Sequence, residues 1–93
     1  MSAEGGPATR LREADVAWRE VDGDIVVLDL RSASYLRLNA SAALLWHGLL
    51  GGADEGTLVS ELRAAYSLDD DRARADVAAF LRSLRDRELL TDR

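Results

Sequence analysis

The run DIVVLDLRSASYLRLNASAALLW, residues 24–46, changes its hydrophobic period partway along, and that change decides the fold. Before Asn39 the period is near two, that of a strand; after it the period is near 3.6, that of a helix. DIVVLDL (24–30) is rich in β-branched residues and too short for a helix. RSAS (31–34) reads as a turn, and YLRLN (35–39) as the strand that follows. Upstream, VAWREV (16–21) also alternates, and Asp22-Gly23 supplies the chemistry of a tight hairpin turn. Three short antiparallel strands in a meander result. With Leu30 set opposite Tyr35, Val26, Leu28, Leu30, Tyr35 and Arg37 share one face. Ile25, Val27, Leu36 and Leu38 share the other, with Asp29 among them. Both faces of the middle strand are thus apolar, and only one can meet the helices of so small a domain.

Downstream, Asn39 or Ser41 can cap a helix in which Ala42, Leu45, Trp46, Leu49 and Leu50 fall on one stripe. Gly51-Gly52 ends it. Thr57 starts a second helix with Leu58, Leu62, Ala65 and Tyr66 on one side. After Ser67-Leu68, the acids Asp69, Asp70 and Asp71 open a third, and Arg82, Arg85 and Arg87 near its end also suit the helix dipole. Its core stripe is Val77, Phe80, Leu81 and Leu84, with Leu89 and Leu90 tucked beneath. Residues 1–13, with Gly5, Gly6 and Pro7, read as a flexible tail, and residues 14–93 as one domain. The expected fold is α+β: a three-stranded antiparallel sheet followed by three helices, winged helix-turn-helix-like.

Composition narrows the function. At 93 residues there is room for one core. No cysteine is present, so disulfides, thiolate nucleophiles and sulfur ligands are out of reach, and His47 is the one histidine. A single histidine with scattered acids makes no metal-ligand pattern, and neither a G-x-S-x-G elbow nor a glycine-rich phosphate loop occurs. The expectation is a protein without catalytic activity, metal or cofactor. His47 reads as exposed or half-buried beside a core Trp46, and Trp18 as packing. The net charge is −5, and all twelve basic residues are arginine, a usage like that of high-GC bacterial genomes. Such a chain repels phosphate backbones on average, which argues against nucleic acid. With no apolar run of membrane-spanning length and no signal-peptide pattern, the expected address is the cytoplasm.

LDLRSASYLRLNASAALLWHGL (28–49), TLVSELRAAYSLD (57–69) and DVAAFLRSLRDRELL (76–90) together resemble the PqqD-like family, whose members in ribosomal peptide biosynthesis are the RiPP recognition elements. The most specific part is the strand ending in Leu38-Asn39, small residues at Ala42 and Ala43, then Leu45-Trp46. A freestanding chain of this length is similar to the recognition proteins of lasso-peptide clusters. The resemblance implies that the leader region of a precursor peptide adds as a strand to the edge of the third strand, in the cleft against the third helix, for a separate cysteine protease or other maturation enzyme. One residue departs from the pattern: Glu88 stands where the family often has glycine before the final Leu-Leu.

The residues support this reading independently. An edge strand offers unpaired N–H and C=O groups, which extended peptides exploit by strand addition. Ser34, Tyr35, Leu36, Arg37 and Leu38 include neither proline nor glycine, so no donor is missing. Each hydrogen bond contributes only about 0.5–1.5 kcal/mol net. Two or three buried ligand side chains, at about 1.5–3 kcal/mol each, are needed to reach micromolar affinity. Val26, Leu28, Leu30 and Tyr35 either pack as core under the third helix or line such a pocket. On that helix Arg72, Asp76, Ala79 and Ser83 form a row flanking Phe80, read either as a solvated face or as the cleft wall. Arg72 and Asp76 are also spaced to pair with each other. The competing function is a winged-helix DNA-binding regulator with Arg74, Arg82 and Arg85 toward the duplex, opposed by Asp69, Asp70, Asp71, Asp76 and Asp86.

Overall fold

The structure, a computed structural model, describes residues 9–92. Three strands, β2 (Val16–Val21), β3 (Asp24–Asp29) and β4 (Ser34–Leu38), form an antiparallel sheet in that order. Three helices follow: α1 (Ala40–Leu50), α2 (Glu55–Tyr66) and α3 (Asp70–Asp86). The α+β arrangement expected from the change of period is what the chain adopts.

Two short strands lay hidden in the sequence. β1 (Thr9–Leu11) pairs antiparallel with β5 (Leu90–Asp92), and a 3-10 turn at Glu13–Asp15 leads into β2. The stretch expected as tail is therefore ordered from Thr9 on; the rest of that expectation, residues 1–8, lies outside the described residues. The ribbon brings Leu11, Leu89 and Leu90 into the core, all buried.

The β2–β3 hairpin closes through Asp22 (φ 55°) and Gly23 (φ 87°). Positive φ at both central residues is the primed turn that matches strand twist, and Asp-Gly suits it. The second hairpin differs in register from the expectation: Leu28, not Leu30, sits opposite Tyr35, and Asp29 sits opposite Ser34. The cause is Asp29. Its carboxylate accepts the N–H groups of Arg31 (3.0 Å) and Ser32 (3.4 Å), and its carbonyl accepts that of Ala33 (2.7 Å). The strand ends there, and Leu30–Ala33 become the turn. A slip of two residues leaves each side chain on its original face; Ile25, Val27 and Leu38 share one face as expected, and it is this face that is buried.

Asn39 caps α1 by accepting the N–H of Ala42 (3.0 Å). α2 begins two residues before Thr57, because Asp54 is its cap and Thr57 N–H the donor (2.8 Å). Its buried stripe is Leu58, Val59 and Leu62; Ala65 and Tyr66, expected on the core side, are exposed. α1 crosses α2 at Gly48, where an added Cβ would lie 2.5 Å from a Leu58 methyl group. Trp46 is fully buried, and Trp18 of β2 meets it edge-on at 6.2 Å between ring centres.

α3 ends in a Schellman motif: Leu89 N–H reaches Leu84 C=O and Glu88 N–H reaches Arg85 C=O, both at 2.9 Å. Glu88 occupies the left-handed position of this motif, φ 60°, where glycine is the unstrained residue. A glutamate there costs about 1–2 kcal/mol of backbone strain, partly offset by its lower unfolded-state entropy, about 0.4–1 kcal/mol. Glu88→Gly is therefore expected to stabilise the fold by roughly 0.5–1 kcal/mol in urea denaturation; a loss of stability would show that the side chain's contacts outweigh the strain.

Candidate functional site

β4 is an edge. Its inner side pairs with β3, and among the described residues no strand pairs with its outer side. Alternation puts Ser34, Leu36 and Leu38 toward the helices and Tyr35 and Arg37 away from them. Leu38 is core and Leu36 is half-buried against it, so these two anchor the strand.

At its Ser34 end the edge looks across a groove at the end of α3. This groove, about 410 Å³, is lined by Asp29, Arg31, Ser32, Ser34, Asp86, Arg87 and Glu88. A second depression, of about 460 Å³, continues along α3 over Ala79, Arg82, Ser83, Asp86 and Arg87. Sharing Asp86 and Arg87, the two form one trough from the β3–β4 turn along the helix wall. Arg31 ties its end together: its guanidinium donates to Glu88 C=O (2.8 Å) and lies 3.7 Å from the Asp15 carboxylate and 3.8 Å from that of Glu88. The turn that starts the edge strand is thus fixed to the end of the helix that walls it.

The expected site residues divide. Ser34, Ala79 and Ser83 lie along the trough. Phe80 is buried in the core behind it, only 8% exposed. Arg72 and Asp76 pair with each other (3.2 Å) on the opening turns of α3 and do not line the trough. Val26 and Leu28 are half-buried on the face of the sheet turned from the helices, and neither packs against the core. Tyr35 (69% exposed) and Leu30 (53%) are open beside them, and Arg37 pairs with Asp24 (3.1 Å). Of the two readings given for this apolar set, packing as core under the third helix does not hold: the buried apolar residues of β3 are Ile25 and Val27 of the other face, and β3 packs against α1. Asp86, Arg87 and Arg82 were missed, although carrying the row Ala79–Ser83 one turn further gives the first two.

Of the cations named for the DNA-binding alternative, Arg74 is taken by an acid of its own helix. Arg74 pairs with Asp70 (2.6 Å) and Arg72 with Asp76, while Asp69 caps α3 by accepting the Arg72 N–H (2.7 Å). The helix that would enter a groove presents carboxylates at its leading end. Among the described residues no group of three or more His, Cys, Asp or Glu converges as for a metal ion, and no helix is long and apolar enough to cross a membrane. His47 is half-exposed and bonded to Glu20.

An unpaired strand edge facing a helix-walled trough is the layout of a domain that binds by strand addition. The chain belongs to the PqqD family: the family model for coenzyme PQQ synthesis protein D matches residues 24–90. A search of curated proteins finds no match. Two solved structures are similar over 90% of the chain. One is TbiB1 in complex with the TbiA(beta) leader peptide, with TM-score 0.83, 28% identity and 96% of that chain covered. The other is lasso peptide synthetase B1 complexed with the leader peptide, with TM-score 0.80, 31% identity and 98% covered. The family expected from the sequence is borne out.

Burial pushes the Asp29 carboxyl up, but the N–H of Arg31, the hydroxyl and N–H of Ser32 and the Arg31 charge together hold it below the usual range. Asp54 is lowered by its Thr57 cap bonds and Asp70 by Arg74. A lowered folded pKa means stability that is complete above the unfolded value, about 3.9, and lost as pH falls through the folded value. Urea stability is expected to drop between pH 7 and pH 3. Asp29→Asn should be less stable at pH 7 and show a smaller drop, whereas an unchanged drop would contradict the role given to Asp29.

Proposed function

We propose that this chain is a RiPP recognition element that binds the leader region of a ribosomally made precursor peptide, in a lasso-peptide pathway, and presents it to a separate processing enzyme. The observation that carries the reading is the unpaired β4 edge beside the α3 trough, in a chain whose similar structures hold leader peptides. A guest strand would pair with the outward amides and carbonyls at alternate positions of Ser34–Leu38. Its side chains would then divide, one set over Tyr35 and Leu28, the other toward Ala79 and Ser83. Phe80 backs that wall, and Val26 and Leu30 extend the apolar surface.

The work done is binding. Holding the precursor by its leader raises its effective concentration at the enzyme and fixes its direction, with no bond made or broken on this chain. A cysteine protease that removes the leader is the partner we infer, acting in the cytoplasm, without metal, cofactor or nucleic acid on this chain.

Isothermal titration with the synthetic leader of the precursor encoded beside this chain's gene is expected to give one-to-one binding near micromolar or tighter. Saturation absent below about millimolar would overturn the reading. Ala79→Trp, at an exposed position of the trough wall, should keep the fold by circular dichroism and weaken binding at least about tenfold, roughly the loss of one buried side-chain contact.

A further inference from the structure

Seventeen acidic residues face twelve arginines in this chain, and the arginines around the site are mostly taken. Arg31 serves Asp15 and Glu88, Arg37 serves Asp24, Arg72 serves Asp76, and Arg74 serves Asp70. Arg82 and Arg87 are exceptions: both are exposed, both line the α3 wall of the trough, and neither side chain makes a hydrogen bond or ion pair among the described residues.

The acids at the same place are largely spent. Asp29 is occupied by the turn N–H groups and Glu88 by Arg31, which leaves Asp86 alone against two guanidinium groups. The hydroxyl of Ser83 adds a donor on the same wall. In an otherwise acidic domain, the depression over Ala79, Arg82, Ser83, Asp86 and Arg87 thus carries two arginines against one acid.

Resting on the strand-addition reading above, we propose that Arg82 and Arg87 form a subsite for one aspartate or glutamate side chain of the guest peptide. Strand alternation fixes where that acid stands. The guest residue beside Ser34 faces the helices, while the residues before and after it face the side of Tyr35. The peptide the site selects has an acid at one position and apolar or aromatic residues on either side of it. A guanidinium takes a carboxylate in a charge-assisted, often two-pronged bond, and that geometry favours acids over neutral polar residues.

The test is a selection from a display library of random ten-residue peptides, blocked at both ends by linker so that no terminal carboxylate competes. The full chain is the bait, beside its Arg82→Glu/Arg87→Glu variant. Binders to the wild type should be enriched in Asp or Glu at one position flanked by apolar residues, and binders to the variant in Lys or Arg at that position. A selected acidic peptide should lose about tenfold or more in affinity on the double charge reversal. It should lose a similar amount when its acid is changed to the amide. Both arginine side chains are exposed and unpaired, so the variant should keep the fold by circular dichroism, melting somewhat lower because acids replace arginines at the C-terminal end of the helix dipole. Binders without acid enrichment, or affinity unmoved by the reversal, overturn the subsite and leave strand addition standing. A selection that returns no binders overturns strand addition itself and the subsite with it.

Discussion

A strand at the edge of a sheet leaves half of its backbone hydrogen-bonding groups without a protein partner, and in this molecule that unmet demand lies on β4. Edges of this kind invite pairing with any extended chain, and proteins generally cover, shorten or charge them. Here the edge is five residues long and carries Tyr35 open to solvent. The second edge, β2, differs in its surroundings. Trp18 leans on Trp46 and on His47 of α1, and Glu20 bonds to His47, so its helix-side residues are engaged. The β4 edge, at Ser34, looks onto a trough walled by α3.

What keeps that edge at its distance from α3 is a chain of polar contacts. Asp29 ends β3 by binding the turn amides, and the turn holds Arg31 in place to reach the carbonyl of Glu88 just past α3. The helix ends there because its last turn closes through Leu84 and Arg85, with Glu88 in a left-handed conformation. The same motif aims Leu89 and Leu90 into the core and starts β5, which pairs with β1. The strain at Glu88 and the burial of Asp29 are thus linked to one result, an edge and a wall fixed relative to each other. A binding site that is already shaped in the unbound chain loses less entropy when a peptide arrives.

Much of the architecture was legible because the change of hydrophobic period at Asn39 is abrupt and the Asp-Gly hairpin turn is specific. The face assignment of β3 survived an error of two residues in register, since parity alone decides the face. The β1–β5 ribbon was not legible: three residues at each end carry no periodicity, and their pairing spans nearly the whole chain. Nor could sequence tell which apolar face of the sheet met the helices, since Val26 and Leu28 are as apolar as Ile25 and Val27. The site was read in part. Ser34, Ala79 and Ser83 lie along the trough, while Arg72 and Asp76 satisfy each other elsewhere, because i and i+4 spacing on a helix serves an ion pair as readily as a wall.

Hydrogen exchange at the β4 amides, measured with and without a bound leader peptide, addresses the central claim most directly. Strand addition requires that the outward-facing N–H groups within Ser34–Leu38, those not already bonded to β3, exchange markedly more slowly once the peptide is bound, with smaller changes on α3 between Ala79 and Arg87. Saturable binding that leaves those amides exchanging as before, or that protects β2 in their place, would contradict the account.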